Sequence, residues 1–359
     1  MNFGLSDEQE LLQEALRGFC ANECPPNRLR ELFDAASGHD ASLWKGLAEL
    51  GVLGLIVPEA YGGAGLELLD LALVAEVMGQ AALPGPFLGH QLVSLAVASA
   101  GSEEQKRVWL PRLASGEAIG TVALAEDAAA WEPESFRAQV QGNRISGSKC
   151  FVPGAADADL FLVGVAGGGL ALVERKDAGV SIADQNGVDR TRPISRVELS
   201  GARCEPLSGG AQTARHVRDA GLCVLAADAF GAASKLLQIT LAYTGTRQQF
   251  GSVLTQFQAV KHQLANMATE LEPTRALWWY AAHAFDQIAS ESERAAAIAK
   301  AHVTDRALDV ARGAVELHGG IGFTWECDVQ IWFKRLMFDR AFLGNPELHR
   351  ERSARLAGW

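Results

Sequence analysis

Hydrophobic rhythm changes twice along this chain, and any fold must accommodate both changes. From residue 6 to about 120, apolar side chains recur at helical spacing. Ser6 with Gln9 three residues later reads as a capping box, and Leu11, Leu12, Ala15, Leu16 and Phe19 follow on one face. Trp44, Leu47, Leu50 and Leu53 suggest a second apolar face. Residues 61–65 (Tyr-Gly-Gly-Ala-Gly) predict a turn, and 66–79 a strongly apolar helix. Pro84 and Pro86 interrupt the pattern before another helix over about 88–100.

Near Ile119 the texture becomes that of a sheet. Short apolar runs at 121–124, 138–140, 160–165, 170–173 and 194–199 lie between Gly, Asp, Asn and Pro, which predicts strands of a small sheet or barrel. Gly167, Gly168 and Gly169 form a hairpin turn between two of them. From about Arg215 helical periodicity returns and stays. Residues 290–293 (Ser-Glu-Ser-Glu) read as a second capping box, opening a face traced by Ala295, Ile298, Ala299, Val303, Leu308, Ala311, Val315 and Leu317. Gly319-Gly320 stops it. At ~1.5 Å per residue that helix is roughly 40 Å long, the dimension of a long-helix bundle. The expected class is therefore α+β, mainly α, with helices over 1–120, a small β-domain over 121–212 and helices over 213–359.

Composition limits function. The chain of 359 residues is 48% apolar and 21% charged, and its net charge of −11 leaves no basic stripe for a nucleic-acid backbone. Arg335, Arg340 and the arginines of 350–355 could serve a small anion. No run approaches ~18 uninterrupted apolar residues, so no membrane span is expected. The first ten residues are polar and acidic, unlike a signal peptide, which makes the expected location cytoplasmic. Cys20, Cys24, Cys150, Cys204, Cys223 and Cys327 are scattered, as expected of reduced core thiols rather than a disulfide frame or a metal site. His262 and His318 read as satisfied helix histidines. The Gly-x-Gly-x-x-Gly, Gly-Lys-Ser/Thr, His-Glu-x-x-His and Gly-x-Ser-x-Gly motifs are all missing from the sequence.

Two C-terminal segments carry chemistry. One is Arg247-Gln248-Gln249-Phe250-Gly251 with Gln256-Phe257-Gln258 after it; the other runs from Val315-Glu316 through His318-Gly319-Gly320 to Phe323-Thr324-Trp325-Glu326. With the opening Leu5-Ser6-Asp7-Glu8-Gln9 and the stretch from Gly51 through Pro58-Glu59 to Gly63, they make the whole chain resemble the acyl-CoA dehydrogenases. That resemblance implies an N-terminal helical domain, a small middle β-domain and a C-terminal four-helix-bundle domain. It also implies FAD, an acyl-CoA substrate, α,β-desaturation, an electron-transferring flavoprotein as acceptor, and a homo- or hetero-oligomer, dimer or tetramer. By resemblance, Arg247 reaches a pyrophosphate oxygen of a neighbouring subunit's FAD with its planar cationic fork. Phe250 packs near the adenosine, Gln258 hydrogen-bonds in the same half-site, and Gly319 and Gly320 allow close backbone approach. Both corners then converge on one dinucleotide at a boundary between protomers.

The sequence departs from the family in places that bear on catalysis. Where many members carry the base in Tyr-Glu-Gly-Thr, this chain reads Phe342-Leu343-Gly344-Asn345-Pro346, without a carboxylate. Where others place a glutamate early in the first C-terminal helix, the spacing falls near Gly221 and the closest acid is Asp219. No residue is a motif-matched base, and Glu326 reads as an acid favouring the next helix N-terminus. In the middle domain Ala125 and Pro153 replace hydroxyl donors to the flavin, and 128–131 (Ala-Ala-Ala-Trp) replace Gly-Ser-Asp. Glu316 stands where glutamine is common, placing an anion near the cofactor phosphates. These departures resemble one subunit of the heteromeric acyl-CoA dehydrogenases of sterol side chains. Three readings follow: a desaturating subunit whose base comes from a partner or from Asp219, a non-catalytic partner completing another chain's FAD site, and a relative that only binds a thioester.

Overall fold

The computed structural model describes residues 4–36, 38–126 and 130–359. Six helices come first: α1 (Asp7–Glu23), α2 (Pro26–Ala35), α3 (Ala41–Glu49), α4 (Leu68–Ala81), α5 (Phe87–Ala100) and α6 (Glu103–Ala114). The Ser6–Gln9 capping box is present, with both reciprocal hydrogen bonds formed. Trp44 and Leu47 point into the core while Leu50 is exposed. Two helices went unread in the sequence: α2, and α6, which its own Ser102–Gln105 capping box opens.

The middle strands are β1 (Gly120–Ala123), β2 (Gln139–Gln141), β3 (Arg144–Pro153), β4 (Leu160–Gly164), β5 (Leu170–Glu174), β6 (Val180–Gln185), β7 (Ile194–Arg203) and β8 (Glu205–Pro206). They form two four-stranded sheets, ordered β1-β4-β5-β8 and β2-β3-β7-β6. The β1–β4 pair is parallel and the triple glycine links antiparallel β4 and β5, as a hairpin turn should. In β3 the register slips between Lys149 and Val152, a bulge that leaves Cys150 and Phe151 unopposed by β7.

The C-terminal part comprises α7 (Gly210–Thr246), the strands β9 (Gln248–Gln249) and β10 (Ser252–Val253), then α8 (Gln258–Leu271), α9 (Thr274–Gln287), α10 (Ala289–His318), α11 (Val329–Ala341) and α12 (Pro346–Leu356). The second expected capping box does not form. Helix α10 starts at once after α9, with Ile288 serving both ends, so Ser290 already lies within the first turn and no side chain caps the helix. Gly319 does end it, at φ 65°, which favours glycine. Helix α7 is long and apolar enough to cross a membrane by length and composition, but 83% of its most apolar window is buried. All six cysteines are buried thiols.

Two compact units emerge, and neither is continuous in sequence. One comprises Met1–Arg30, Ala72–Leu83 and Leu222–Trp359; the other comprises Glu31–Leu71 and Pro84–Gly221. In the first, α4 and α7 cross at van der Waals distance through paired glycines. A Cβ on Gly231 would lie 1.9 Å from the Glu76 carbonyl oxygen, and one on Gly79 would lie 2.0 Å from that of Asp228. Beside the crossing, Arg335 of α11 donates to both carboxylate oxygens of buried Asp228 (2.8 and 2.6 Å) and to the Leu83 carbonyl. In the second unit His90 is wholly buried, edge-on to Trp44 at 4.9 Å, and burial pushes its imidazole down to about 4.

Gly231→Ala should cost about 1–3 kcal/mol by overpacking despite alanine's better helix propensity. Gly18→Ala, whose Cβ meets nothing within 4 Å in α1, should leave stability unchanged or raise it by up to about 1 kcal/mol, both read by urea denaturation. His90 is neutral when folded and takes up a proton on unfolding between its ordinary 6.5 and about 4. Stability should therefore fall as pH drops through that window, and His90→Gln should flatten that part of the curve.

Candidate active site

The two motif corners come together at one end of the first unit. Helix α7 ends at Thr246, and the Arg247 amide still donates to the Tyr243 carbonyl (2.8 Å). The Tyr243 ring stacks on His318 at 4.3 Å, and its hydroxyl reaches the His318 carbonyl at 3.4 Å. His318 is the last residue of α10, so the tandem glycines begin one residue beyond this contact. A second tie joins α8 to α10: Gln263 donates to Glu316 at 3.0 Å. The meeting is made within a single chain.

Each expected residue has a local reason for its placement. Strands β9 and β10 pair Gln249 with Ser252, leaving a two-residue turn of Phe250 and Gly251 at φ 52° and 78°. Both central residues of such a turn need positive φ, and its tight geometry pushes the Phe250 ring outward. That ring is 93% exposed, touching Phe257 edge-on at 6.3 Å. Arg247 is exposed and pairs with no carboxylate among the described residues, and Gln258 is exposed at the first turn of α8. Gly319 and Gly320 lie exposed at the start of the 3₁₀ turn Gly319–Phe323, and an added Cβ at either would meet nothing within 4 Å. Gly319 needs its left-handed φ, but nothing in the chain itself requires Gly320 to lack a side chain. Glu316 is exposed, with one oxygen engaged by Gln263.

Sequence reasoning gave no role to the apolar side chains beyond the glycines. Phe323 is 81% exposed and Ile321 and Trp325 are also exposed, a grouping larger than isolated surface residues usually make. Arg30 and Lys334 lie over the Trp325 ring at 5.6 and 4.2 Å. Their presence in the glycine motif was visible, but their exposure was not. Glu326 lies ahead of Asp328, the N-cap of α11, rather than in its first turn. Hydrogen bonds from its own amide and Thr324 hold its carboxyl below the usual range.

The second unit holds the remaining positions. Asp219 is buried in α7 and accepts from Arg218 Nε at 3.1 Å, while Arg218 also pairs with Glu132. Ala125 is buried, its carbonyl accepting from Cys150 (2.9 Å), and the Pro153 carbonyl accepts from the Thr121 hydroxyl. At the bulge Phe151 sits at φ 57°, donates its amide to Gln185 at 2.7 Å and faces Trp131 at 6.3 Å. Lys149 is fully buried against Glu126 and the Leu124 carbonyl; burial lowers its pKa, opposed by Glu126. Of the stretch replacing Gly-Ser-Asp, Ala128 and Ala129 lie outside the described residues.

The segment resembling the usual base position is closed. Leu343 is fully buried at φ 58° and its carbonyl contacts His349 Nε2 at 2.9 Å. The Gly344 and Arg340 carbonyls accept from Lys300 Nζ at 2.8 and 3.0 Å. Lys300 is wholly buried, and desolvation brings its ammonium down to about 7 against the pull of Asp339.

Comparison with known proteins agrees with this architecture. Residues 6–117 match the acyl-CoA dehydrogenase N-terminal domain and 210–357 the C-terminal domain. Acyl-CoA dehydrogenase IpdE2 of Mycolicibacterium smegmatis is 32% identical over 95% of this chain and 96% of its own. Among solved structures, a variant of the Tcur3481-Tcur3483 steroid ACAD superposes with a TM-score of 0.90 at 32% identity, over 98% of both chains. A glutaryl-CoA dehydrogenase from Mycobacterium smegmatis in complex with FADH2 gives 0.89 at 25% identity, covering 99% of this chain and 96% of that one. The chain belongs to the acyl-CoA dehydrogenase family.

Proposed function

We propose that this chain is a subunit of an FAD-dependent acyl-CoA dehydrogenase that desaturates an acyl thioester between its α and β carbons and passes the electrons to an electron-transferring flavoprotein. The observation that carries the reading is the meeting of an uncompensated Arg247 with an open glycine pair, tied by Tyr243 against His318. Such a corner fits the adenosine diphosphate half of the cofactor. Arg247 supplies a fixed cation for pyrophosphate, Gln258 a side-chain amide, Phe250 an apolar surface, and Gly320 room for close backbone approach. Glu316 is directed toward Gln263, which limits its repulsion of phosphate. When bound, FAD supplies the hydride acceptor for the β-hydrogen.

The exposed Phe250, Ile321, Phe323 and Trp325 suit burial against a second protomer, in a homo- or hetero-oligomer. Departures of this chain from its family favour an unlike partner. The described residues offer no evident base: Leu343 occupies the usual segment, and Asp219 already accepts from Arg218. A base must reach the α-proton as an accessible carboxylate. The partner would supply it, and the steroid-acting relative makes a polycyclic or branched thioester the first substrate class to try. The same observations favour a second reading, in which this chain only completes the partner's FAD site.

Purifying the chain alone and with a genetically adjacent homologue, then recording flavin absorbance and its bleaching by acyl-CoA, tests the proposal. Colour and bleaching are expected on co-purification. Bleaching by the chain alone would contradict the partner-supplied base, and a persistently colourless pair would contradict the FAD reading. Arg247→Ala should remove a charge-assisted interaction of about 1.5–3 kcal/mol, weakening FAD binding on the order of ten- to a hundredfold. Asp219→Asn should leave bleaching by the assembled enzyme intact.

A further inference from the structure

A solvent-open pocket of about 310 Å³ is lined entirely by residues of the first unit, from α1, the start of α2, α4, α7 and α11. Cys20, Cys24, Leu29, Val77 and Trp332 give it apolar walls. Burial pushes the Cys20 thiol up to about 12, with Cys24 adding to the effect, so that wall is uncharged at neutral pH. Two cations line the space: exposed Arg17, which donates to the neutral side chain of Gln13 (2.8 Å), and half-buried Lys235. Lys235 has no ion pair or hydrogen bond among the described residues. No carboxylate lines the cavity, although acids outnumber bases in this chain 43 to 32.

A half-buried ammonium beside apolar walls, with no counter-ion among the described residues, offers an anion a favourable electrostatic contact. We propose that this cavity is a binding site for a small amphipathic monocarboxylate, its head between Lys235 and Arg17 and its apolar body along Cys20, Val77 and Trp332. The volume stands at the low end of the roughly 300–1,000 Å³ of small-molecule pockets, which suits a medium-chain organic acid. The neutral side chains of Gln80 and Gln238 also line it and add polar contacts without opposing charge. Because the walls come from four helices of one unit and the start of a fifth, an occupant binds their packed arrangement and stabilises it by mass action. This inference does not depend on the flavin corner.

Thermal unfolding of the full chain with increasing octanoate tests it, with octylamine as the same body bearing the opposite charge. Octanoate should raise the midpoint, by about 2 °C near tenfold its Kd and then with the logarithm of its concentration, while octylamine should not. Lys235→Met should abolish the rise and Lys235→Arg should retain it. An absent rise, an equal rise with octylamine, or an undiminished rise in Lys235→Met would overturn the proposal. A crystal of the unaltered chain soaked in 8-bromooctanoate gives a check that needs no variant. The anomalous bromine peak should lie beside Trp332, and a peak elsewhere, as in an acyl-binding cleft, would overturn the assignment.

Discussion

Backbone contact between α4 and α7 sets the geometry on which the candidate site rests. With Gly79 and Gly231 each facing the other helix's carbonyl, the two axes lie closer than side chains would allow. Asp228, one turn from Gly231, is then fixed by the bidentate guanidinium of Arg335, which brings α11 to the same place. A buried charge pair of this kind adds specificity of arrangement more surely than net stability, since removing one partner strands the other in a medium that solvates it poorly. From that fixed crossing α7 continues to Tyr243, where it meets the end of α10. The position of Arg247 is thus a consequence of packing about sixteen residues earlier, at ~1.5 Å of rise per residue.

Chemically, the chain presents an asymmetric set of parts. Its proposed cofactor corner has a cation, an amide and an open glycine pair, while the segments that resemble the family's base positions offer Leu343 in one case and a guanidinium-engaged Asp219 in the other. Lys300 and His349 hold the Leu343 loop from beneath, so the loss of the carboxylate is accompanied by a buried, internally hydrogen-bonded loop. A dinucleotide site and a proton-abstracting site are separable requirements, one met by fixed charge and backbone access, the other by a poised carboxylate.

Much of this was legible in the sequence because it follows from periodicity and end signals. The order of helices, strands and helices, the Ser6 cap, the triple-glycine hairpin and the stop at Gly319 are local properties. Local patterns also misled: Ser290 to Glu293 has the composition of a capping box, but Ile288 had already begun the helix. Strand β3 escaped notice because its run mixes Arg144, Ser146, Ser148 and Lys149 with apolar residues, and the last of these is buried only because Glu126 and a carbonyl receive it. Helix α2 does carry an apolar face in Leu29, Leu32 and Phe33 but is short, whereas α6 shows little periodicity and contains Pro111. Glycines inside a helix do not announce the partner that needs them, which hid Gly79 and Gly231. The motif residues were recognisable only in combination, whereas their convergence rests on the contacts of Tyr243 with His318 and of Gln263 with Glu316, neither of which spacing can supply.

Photolabelling addresses the central claim most directly. FAD carrying an azide on its adenine, irradiated with the assembled protein and followed by peptide mapping, should mark this chain within residues 247–258 or 316–323. Label confined to other segments, with both of these unmodified, would contradict the assignment of that corner.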